Sequence, residues 1–562
     1  MDTTMNNVSC LLVCCLFATF YDTGMALQSF RPHIVVIMAD DLGWNDVGFH
    51  GSDQIPTPNL DALAYNGIIL NNHYVQPVCT PSRSAFLCGR YPIHIGMQGG
   101  PLMVAQPDGL PLHLKLLPDY LRDLGYKTHL VGKWHLGFYR KDYLPTRRGF
   151  DSFFGFYGGY IGYYDYMSTF EVDGNQYYGL DLRKNDTPVW DYVGRYSTEV
   201  FSSEAVRVVK SHPVSEPLFL FMAHSAPHGS HKGRFLEAPQ ARVNSLKYIL
   251  DPNRRTYAAM VSKMDDAVGE LVEALKDKNM LDNTIILFLA DNGAPSSSKA
   301  IFPNWGSNLP FRGAKETLWE GGVKSSSFIW SQQLQQNPRV SNQLIHVTDW
   351  VPTLYTAAGG DKLHLPSNLD GIDQWYSLVW NLPSRRTQAL LNINEKDRNA
   401  AIVTTFDTVD VSKRTWKLVV GTFADGIFDG FLNDVRSPLT PPYEYKKIFN
   451  SKSFKALSTL YTPTSGEGQM RILRDEATVR CAEHPTDDLY APDCSFHPCL
   501  FNLDRDPCEK VDLAPNNTAI VERLYNTLKL YRRSLVPQAN HPLDIAGWDS
   551  SKFNNTVSPW VF

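Results

Sequence analysis

Residues 33–41 read HIVVIMADD, seven strand-forming and mostly apolar residues closed by a pair of carboxylates. An apolar run of this length without alternation suits a strand buried on both faces, and such strands belong to parallel sheets covered by helices. The design recurs at residues 284–293, TIILFLADNG, and a third run, LFLFMA, spans residues 218–223. Between the second and third runs, Val261, Met264, Val268, Leu271 and Leu275 are spaced by threes and fours, marking the face of a helix that packs on the sheet. Residues 59–66 before Gly67 and 117–124 before Gly125 read as further helices with glycine stops. The expected fold class is therefore α/β, a large mixed, mostly parallel sheet flanked by helices.

Ligands of such sheets bind beyond the carboxyl ends of the strands. Asp40 and Asp41 follow the first run, and Asp291 and Asn292 follow the second, so all four are expected in one crevice. Three carboxylates and an amide are hard oxygen donors, which favour Ca²⁺ or Mg²⁺ over zinc. A basic set accompanies them. Lys133 and His135 in VGKWHLG share one side of an extended segment after a strand expected at residues 128–131. His228 lies in AHSAPHGSH past the third run, and Lys315 sits in FRGAKETLWEGGV.

The stretch VCTPSRSAFLCGR, residues 78–90, has the local chemistry of a helix start. Thr80 or Cys79 can cap it, Pro81 suits the first turn, and residues 82–87 can continue it. Unpaired backbone N–H groups and the positive dipole end would face an anion held at position 79.

At 562 residues the chain exceeds what one core usually organises, so a large domain plus a smaller one is expected. Hydrophobic residues at 43% and charged residues at 20% indicate neither disorder nor a coiled coil. A net charge of −5 without a long basic block gives no nucleic-acid footprint. Protonation of the 16 histidines near pH 5 would turn the surface positive, which suits an acidic compartment and an anionic substrate. Residues 10–20 read as the apolar core of a secretory signal, with small residues for cleavage before Leu27, and no later run has transmembrane length. Sequons at Asn185, Asn516 and Asn554 are compatible with glycosylation on that route. Cys481, Cys494, Cys499 and Cys508 crowd into one late segment and are expected to form two disulfides, with three pairings open and Cys88 left over.

Taken together, MADDLGWNDVGFHG, CTPSR, GKWHLG, TRRGFDSFFG, ADNGAP, FRGAKETLWEGGV and HVTDWVPTL occur in the order found in type I sulfatases, and the chain resembles that family from about His33 to its C-terminus. VGKWHLGFYRKDYLPTRRGFD and FNLDRDPCEKVDLA look most like its arylsulfatase B branch. The resemblance implies an alkaline-phosphatase-like sulfatase fold, with a signal peptide at 1–26, a catalytic domain at 27–395 and a smaller C-terminal sheet-plus-helix domain at 396–562. It implies that Cys79 is oxidised to formylglycine by a formylglycine-generating enzyme, and that Asp40, Asp41, Asp291 and Asn292 hold one Ca²⁺ with the residue at 79. Arg83 would steady the formylglycine, Lys133, His228 and Lys315 would contact the sulfate, and His135 would serve the nucleophile as base. One hydroxyl of the hydrated aldehyde would attack sulfur, the leaving oxygen would be protonated by His228 with Lys315, and His135 would take the second hydroxyl's proton to expel sulfate. His224 has no counterpart in that set, and Cys88 departs from the usual small hydroxyl residue. The substrate implied is a sulfated glycan or small sulfate ester: N-acetylgalactosamine 4-sulfate in the nearest branch, glucosinolates in related members. A non-catalytic glycan-binding relative would result if Cys79 were never oxidised. The compartment implied is lysosomal or extracellular. The Gly- and Tyr-rich segment 150–166 is read equally as packing or as the substrate entrance.

Overall fold

The structure is a computed structural model that describes residues 31–231, 233–296, 299–300, 302–407, 413–432, 435, 437–460, 464–481 and 492–562. The expected signal at 1–26 lies outside these residues. The apolar runs His33–Ala39, Leu218–Ala223 and Thr284–Ala290 form strands with the limits expected, and all three are fully buried. They lie side by side: the first strand pairs in parallel with the other two, placing Ala39 beside Ala290 and Met38 beside Ala223. Lys127–Lys133 and Ser152–Phe156 continue the parallel centre. Antiparallel pairings with Ser327–Trp330 on one side and Arg183–Lys184 on the other make the ten-stranded sheet mixed.

Alternation along the central strands feeds two cores. Val35, Ile37 and Ala39 face one layer, built largely on the helix Pro252–Asp277, whose Val261, Met264, Val268, Leu271 and Leu275 are all buried there. Ile34, Val36 and Met38 face the other, which includes Phe86 and Leu87 of the helix Cys79–Cys88 and Trp350 and Leu354 of the helix Trp350–Ala357. Burial on both faces explains why these strands read as continuous apolar runs.

A second, four-stranded antiparallel sheet orders Gln388–Asn394, Asn399–Asp407, Lys413–Val420 and Cys499–Asn502. One of its faces packs on Leu524 and Leu528 of the helix Thr518–Arg533. The other packs on Leu318, Trp319 and Val323, just beyond Lys315, so the small sheet supports a loop of the site. Lys417 reinforces that contact. Its buried ammonium lies 2.9 Å from Glu320 and 2.8 Å from Glu509; removing one partner of such a buried cluster costs about 3–5 kcal/mol. Residues 32–562 form one compact unit, and helices at Tyr445–Asn450, Lys452–Leu457 and Glu467–Ala477 return to the first core of the large sheet.

The cysteines pair as Cys481–Cys508 and Cys494–Cys499, with Cys79 and Cys88 free and buried. Asn185, Asn516 and Asn554 are exposed. No described helix is long and apolar enough to cross a membrane. Fewer of the histidines than expected can answer acid, although the seven outside the buried set would still outweigh a net charge of −5. Burial holds nine of the sixteen below their ordinary value, so fewer than half are left to supply surface charge.

Candidate active site

The parallel strands end at one rim. Asp40 and Asp41 leave one strand there, Asp291 and Asn292 leave its neighbour, and Lys133 is the last residue of a third. Asp41 sits at φ +62°, a left-handed turn that an aspartate tolerates better than most residues, and its N–H donates to Asp291 Oδ1 at 3.2 Å.

Cys79 opens the helix Cys79–Cys88, every residue of which is buried. The cap differs from expectation: Val78 holds the N-cap position without a side-chain bond. Thr80 instead donates to the His135 carbonyl at 3.2 Å and accepts from Leu102 N, which ties the helix start to the His135 segment. Ser82 accepts from Gln76 N and donates to the Asp291 carbonyl at 2.5 Å, locking the same helix to the Asp291 turn. Gly89 ends it at φ +68°.

The ten residues singled out in the sequence converge. Arg83 donates through Nε and Nη2 to Asp291 Oδ2 at 3.0 and 2.7 Å, and its Nη2 is 3.6 Å from Asp40. Lys133 Nζ is 2.7 Å from Asp40 Oδ2. Lys315 Nζ lies 2.7 and 2.8 Å from the two oxygens of Asp41, which also takes Asn292 Nδ2 at 2.6 Å. His228 Nε2 is 3.4 Å from Asp41 Oδ2. Donor atoms of Asp40, Cys79 and Asp291 lie within 4.8 Å of one another. His135 lines the same cavity as Cys79, His228 and Lys315; it holds about 200 Å³.

Three carboxylates thus meet three permanent cations in a buried space. Burial pushes Asp41 up, yet Lys315 and His228 bring it below its usual value. Burial and the Asp40 charge hold Asp291 above its own, against Arg83. Burial also raises the Cys79 thiol despite Lys133 and Lys315, so a plain thiol there stays uncharged and weakly nucleophilic. His135 is driven well below its ordinary value by burial and by Lys133. A carbonyl can only accept, so His135 Nε2, 3.0 Å from Leu102 O, carries the hydrogen, and the unpartnered Nδ1 keeps its lone pair. His228 Nδ1 donates to Gly229 O at 2.5 Å. Burial and the two lysines pull His228 down to about 3, although its contact with Asp41 favours the proton.

Two acceptors, Asp40 Oδ1 and Asn292 Oδ1, are buried without a hydrogen-bond partner. Orphaned oxygens beside clustered carboxylates fit a hard divalent cation. His224 is buried with neither ring nitrogen partnered, and it is not among the residues lining the cavity. The segment 150–166 divides: Tyr160 lines the cavity, whereas Tyr163 is packed and donates to the Ser225 and His228 carbonyls. Leu102, Phe302, Glu316 and Phe428 also line it and were not singled out in the sequence, because they come from four separate segments without shared spacing.

Residues 32–360 match the family model Sulfatase. The chain belongs to the sulfatase family. This sulfatase, a sulfuric ester hydrolase, is 36% identical over 524 residues to arylsulfatase J of Mus musculus, covering 92% of this chain and 78% of the relative. It is 32% identical over 370 residues to N-acetylgalactosamine-6-sulfatase of Homo sapiens, covering 61% and 65%. Among solved structures, that of Ps i-CgsB aligns with this sulfatase at a TM-score of 0.68 and 26% identity, over 94% of this chain and 99% of the other. Its complex with k-i-k-neocarrahexaose aligns at 0.68 and 25%, over 93% and 97%. The type I sulfatase family and the α/β architecture with a smaller antiparallel C-terminal sheet agree with the expectations from sequence.

Proposed function

We propose that this sulfatase removes sulfate from a sulfated sugar or aryl ester, using formylglycine made from Cys79 and one Ca²⁺ held by Asp40, Asp41, Asp291, Asn292 and the residue at 79. The observation that carries the reading is the convergence of the Asp40, Cys79 and Asp291 donor atoms beneath a ring of cations. When present, the divalent cation would offset the carboxylate charge and polarise sulfuryl oxygens, and the hydrated aldehyde would supply a hydroxyl nucleophile.

The chain's own groups do the rest. Asp40, Asp41 and Asp291 balance Arg83, Lys133 and Lys315 one for one, so two added positive charges match a sulfate monoester and an ionised nucleophile. Arg83 stays fixed by its two bonds to Asp291 and holds charge beside position 79. Lys133 and Lys315, the nearest cations to Asp40 and Asp41, would bind and orient the sulfuryl oxygens once a divalent cation shared the charge of those carboxylates. His228 is anchored through Nδ1 and lines the cavity; in the imidazolium form that its Asp41 contact favours it gives the Nε2 proton to the leaving oxygen, with help from Lys315, and returns to the neutral ring with its hydrogen on Nδ1. His135 accepts a proton at Nδ1 from the hydroxyl remaining at position 79. Apolar walls exclude water from these transfers.

Sulfated sugars are favoured because N-acetylgalactosamine-6-sulfatase is a relative and the Ps i-CgsB structure holds a carrahexaose. Within that class, the arylsulfatase B-like branch and 4-sulfate specificity are part of this proposal, as are a catalytic region at 27–395, a smaller region at 396–562, and residence in the secretory pathway. The two disulfide pairs support that compartment. The test is Asp291→Ala. It is expected to lose bound calcium by elemental analysis and to lose sulfate release; unchanged metal content would refute the ligand set.

A further inference from the structure

The cavity over position 79 has a wall with its own chemistry. Leu102, Tyr160, Phe170, Phe302 and Phe428 line it. The Tyr160 and Phe302 ring centroids are 4.6 Å apart, and both rings neighbour His228, with centroids at 6.1 and 5.9 Å. Aromatic faces beside the group that meets the leaving oxygen suit a ring on the substrate's alcohol side. Among the described lining residues Lys315 is the sole lysine or arginine, and the scissile sulfate takes it, which leaves no cation on the wall for a second anionic group. A site for a polyanion would instead spread such groups along its wall.

The wall carries an acid. Glu316 lines the cavity at φ +78°, a left-handed conformation unfavourable for a long side chain, held there by its N–H bond to the Pro77 carbonyl at 2.8 Å. Such outliers persist where the surroundings impose them, and they concentrate at ligand clamps. Among the described residues the Glu316 carboxylate has no hydrogen-bond partner; burial raises its value, against the neighbouring Lys315, which favours the ionised form. An ionised carboxylate can only accept, so a substrate hydroxyl or amide N–H is the partner it fits, and a substrate anion is what it repels.

Resting on the sulfatase reading above, we propose that Glu316 is a specificity-determining residue: the site takes a monosulfated, otherwise neutral, hydroxyl-bearing ring and rejects esters with a second anionic group next to the scissile sulfate. One ring face stacks on Tyr160 and Phe302, and a hydroxyl donates to Glu316. The experiment compares kcat/KM of the full-length enzyme for a monosulfated N-acetylhexosamine and for the same sugar with a second sulfate on the adjacent hydroxyl. The wild type is expected to favour the monosulfated sugar at least tenfold, and Glu316→Gln to narrow that ratio at least fivefold through a lower KM for the disulfated one. Equal use of the two sugars by the wild type, or an unchanged ratio in Glu316→Gln, overturns the proposal. Should that variant fail to fold, Phe302→Ala is expected to raise KM for the monosulfated sugar at least fivefold, and an unchanged KM refutes the stacking face. Turnover of 4-nitrophenyl sulfate with neither sugar accepted overturns this inference alone. Failure on all three substrates strikes the sulfatase reading itself.

Discussion

Replacing Lys133 by methionine should tighten calcium binding while it disables the enzyme. Lys133 Nζ is 2.7 Å from Asp40 Oδ2, with both side chains fully buried, so the substitution removes one of three cations that balance three carboxylates. Calcium–oxygen bonds run about 2.3–2.6 Å, which places a bound ion roughly 5 Å from the ammonium. At an effective dielectric of about 20, one unit charge at that distance is worth about 3 kcal/mol, hence about 6–7 kcal/mol against a divalent ion. Relaxation and water entry into the space left by the ammonium offset about half of this, leaving about 3 kcal/mol. The calcium dissociation constant should fall about 100-fold, since each 1.4 kcal/mol is a factor of about ten. Without calcium the variant should be less stable by about 3–5 kcal/mol, because Asp40 has lost its nearest counter-charge. Turnover should drop roughly 100- to 1,000-fold, as one stabiliser of the sulfuryl oxygens is gone. Calorimetric calcium titration of chelated wild type and variant reads the affinity, and sulfate release reads the turnover. Unchanged or weaker calcium binding by Lys133→Met would refute the placement of the ion against Asp40.

Three further outcomes follow from the same geometry. His135→Gln should lower kcat by about 100- to 10,000-fold with little change in substrate binding, measured by turnover and by equilibrium binding; near-normal kcat would remove His135 as the base. His73 accepts from Trp350 Nε1 at 2.9 Å, and burial holds it at about 3. A histidine depressed in the folded state contributes stability that is complete above about pH 6.5 and is lost as pH falls towards 3. Between pH 6.5 and 4.5 that loss is about 2.3 kcal/mol, so His73→Gln should flatten the denaturant-stability profile over this window, and an unchanged slope would refute it. The Cys481–Cys508 bridge closes a 27-residue separation, for which chain entropy predicts about 3–4 kcal/mol; the double serine variant should lose that much in denaturant titration, with Cys494–Cys499 intact.

Much of the fold was legible because burial on both faces leaves an unmistakable trace. The runs at His33–Ala39, Leu218–Ala223 and Thr284–Ala290 have no polar interruption, and their limits were read correctly. The strand Lys127–Lys133 extends past the expected 128–131 at both ends, because Lys127 at one end and Gly132 and Lys133 at the other carry no apolar signal. The charged site residues were visible because doublets at strand ends and the CTPSR stretch are local in sequence. The cavity wall was not. Leu102, Phe302 and Phe428 are ordinary core-type residues until the chain folds them over position 79, and the unusual backbone of Glu316 has no signature in AKET. The cap of the helix Cys79–Cys88 was misread for a related reason: Thr80 is taken by Leu102 and His135, partners 22 and 55 residues away.

The chemical state of position 79 decides whether the proposed chemistry can operate. Active protein from a eukaryotic secretory host should be digested and the peptide carrying CTPSR weighed. An aldehyde, or its hydrate, in place of the Cys79 thiol is expected in proportion to specific activity. An intact thiol in fully active material would contradict the account.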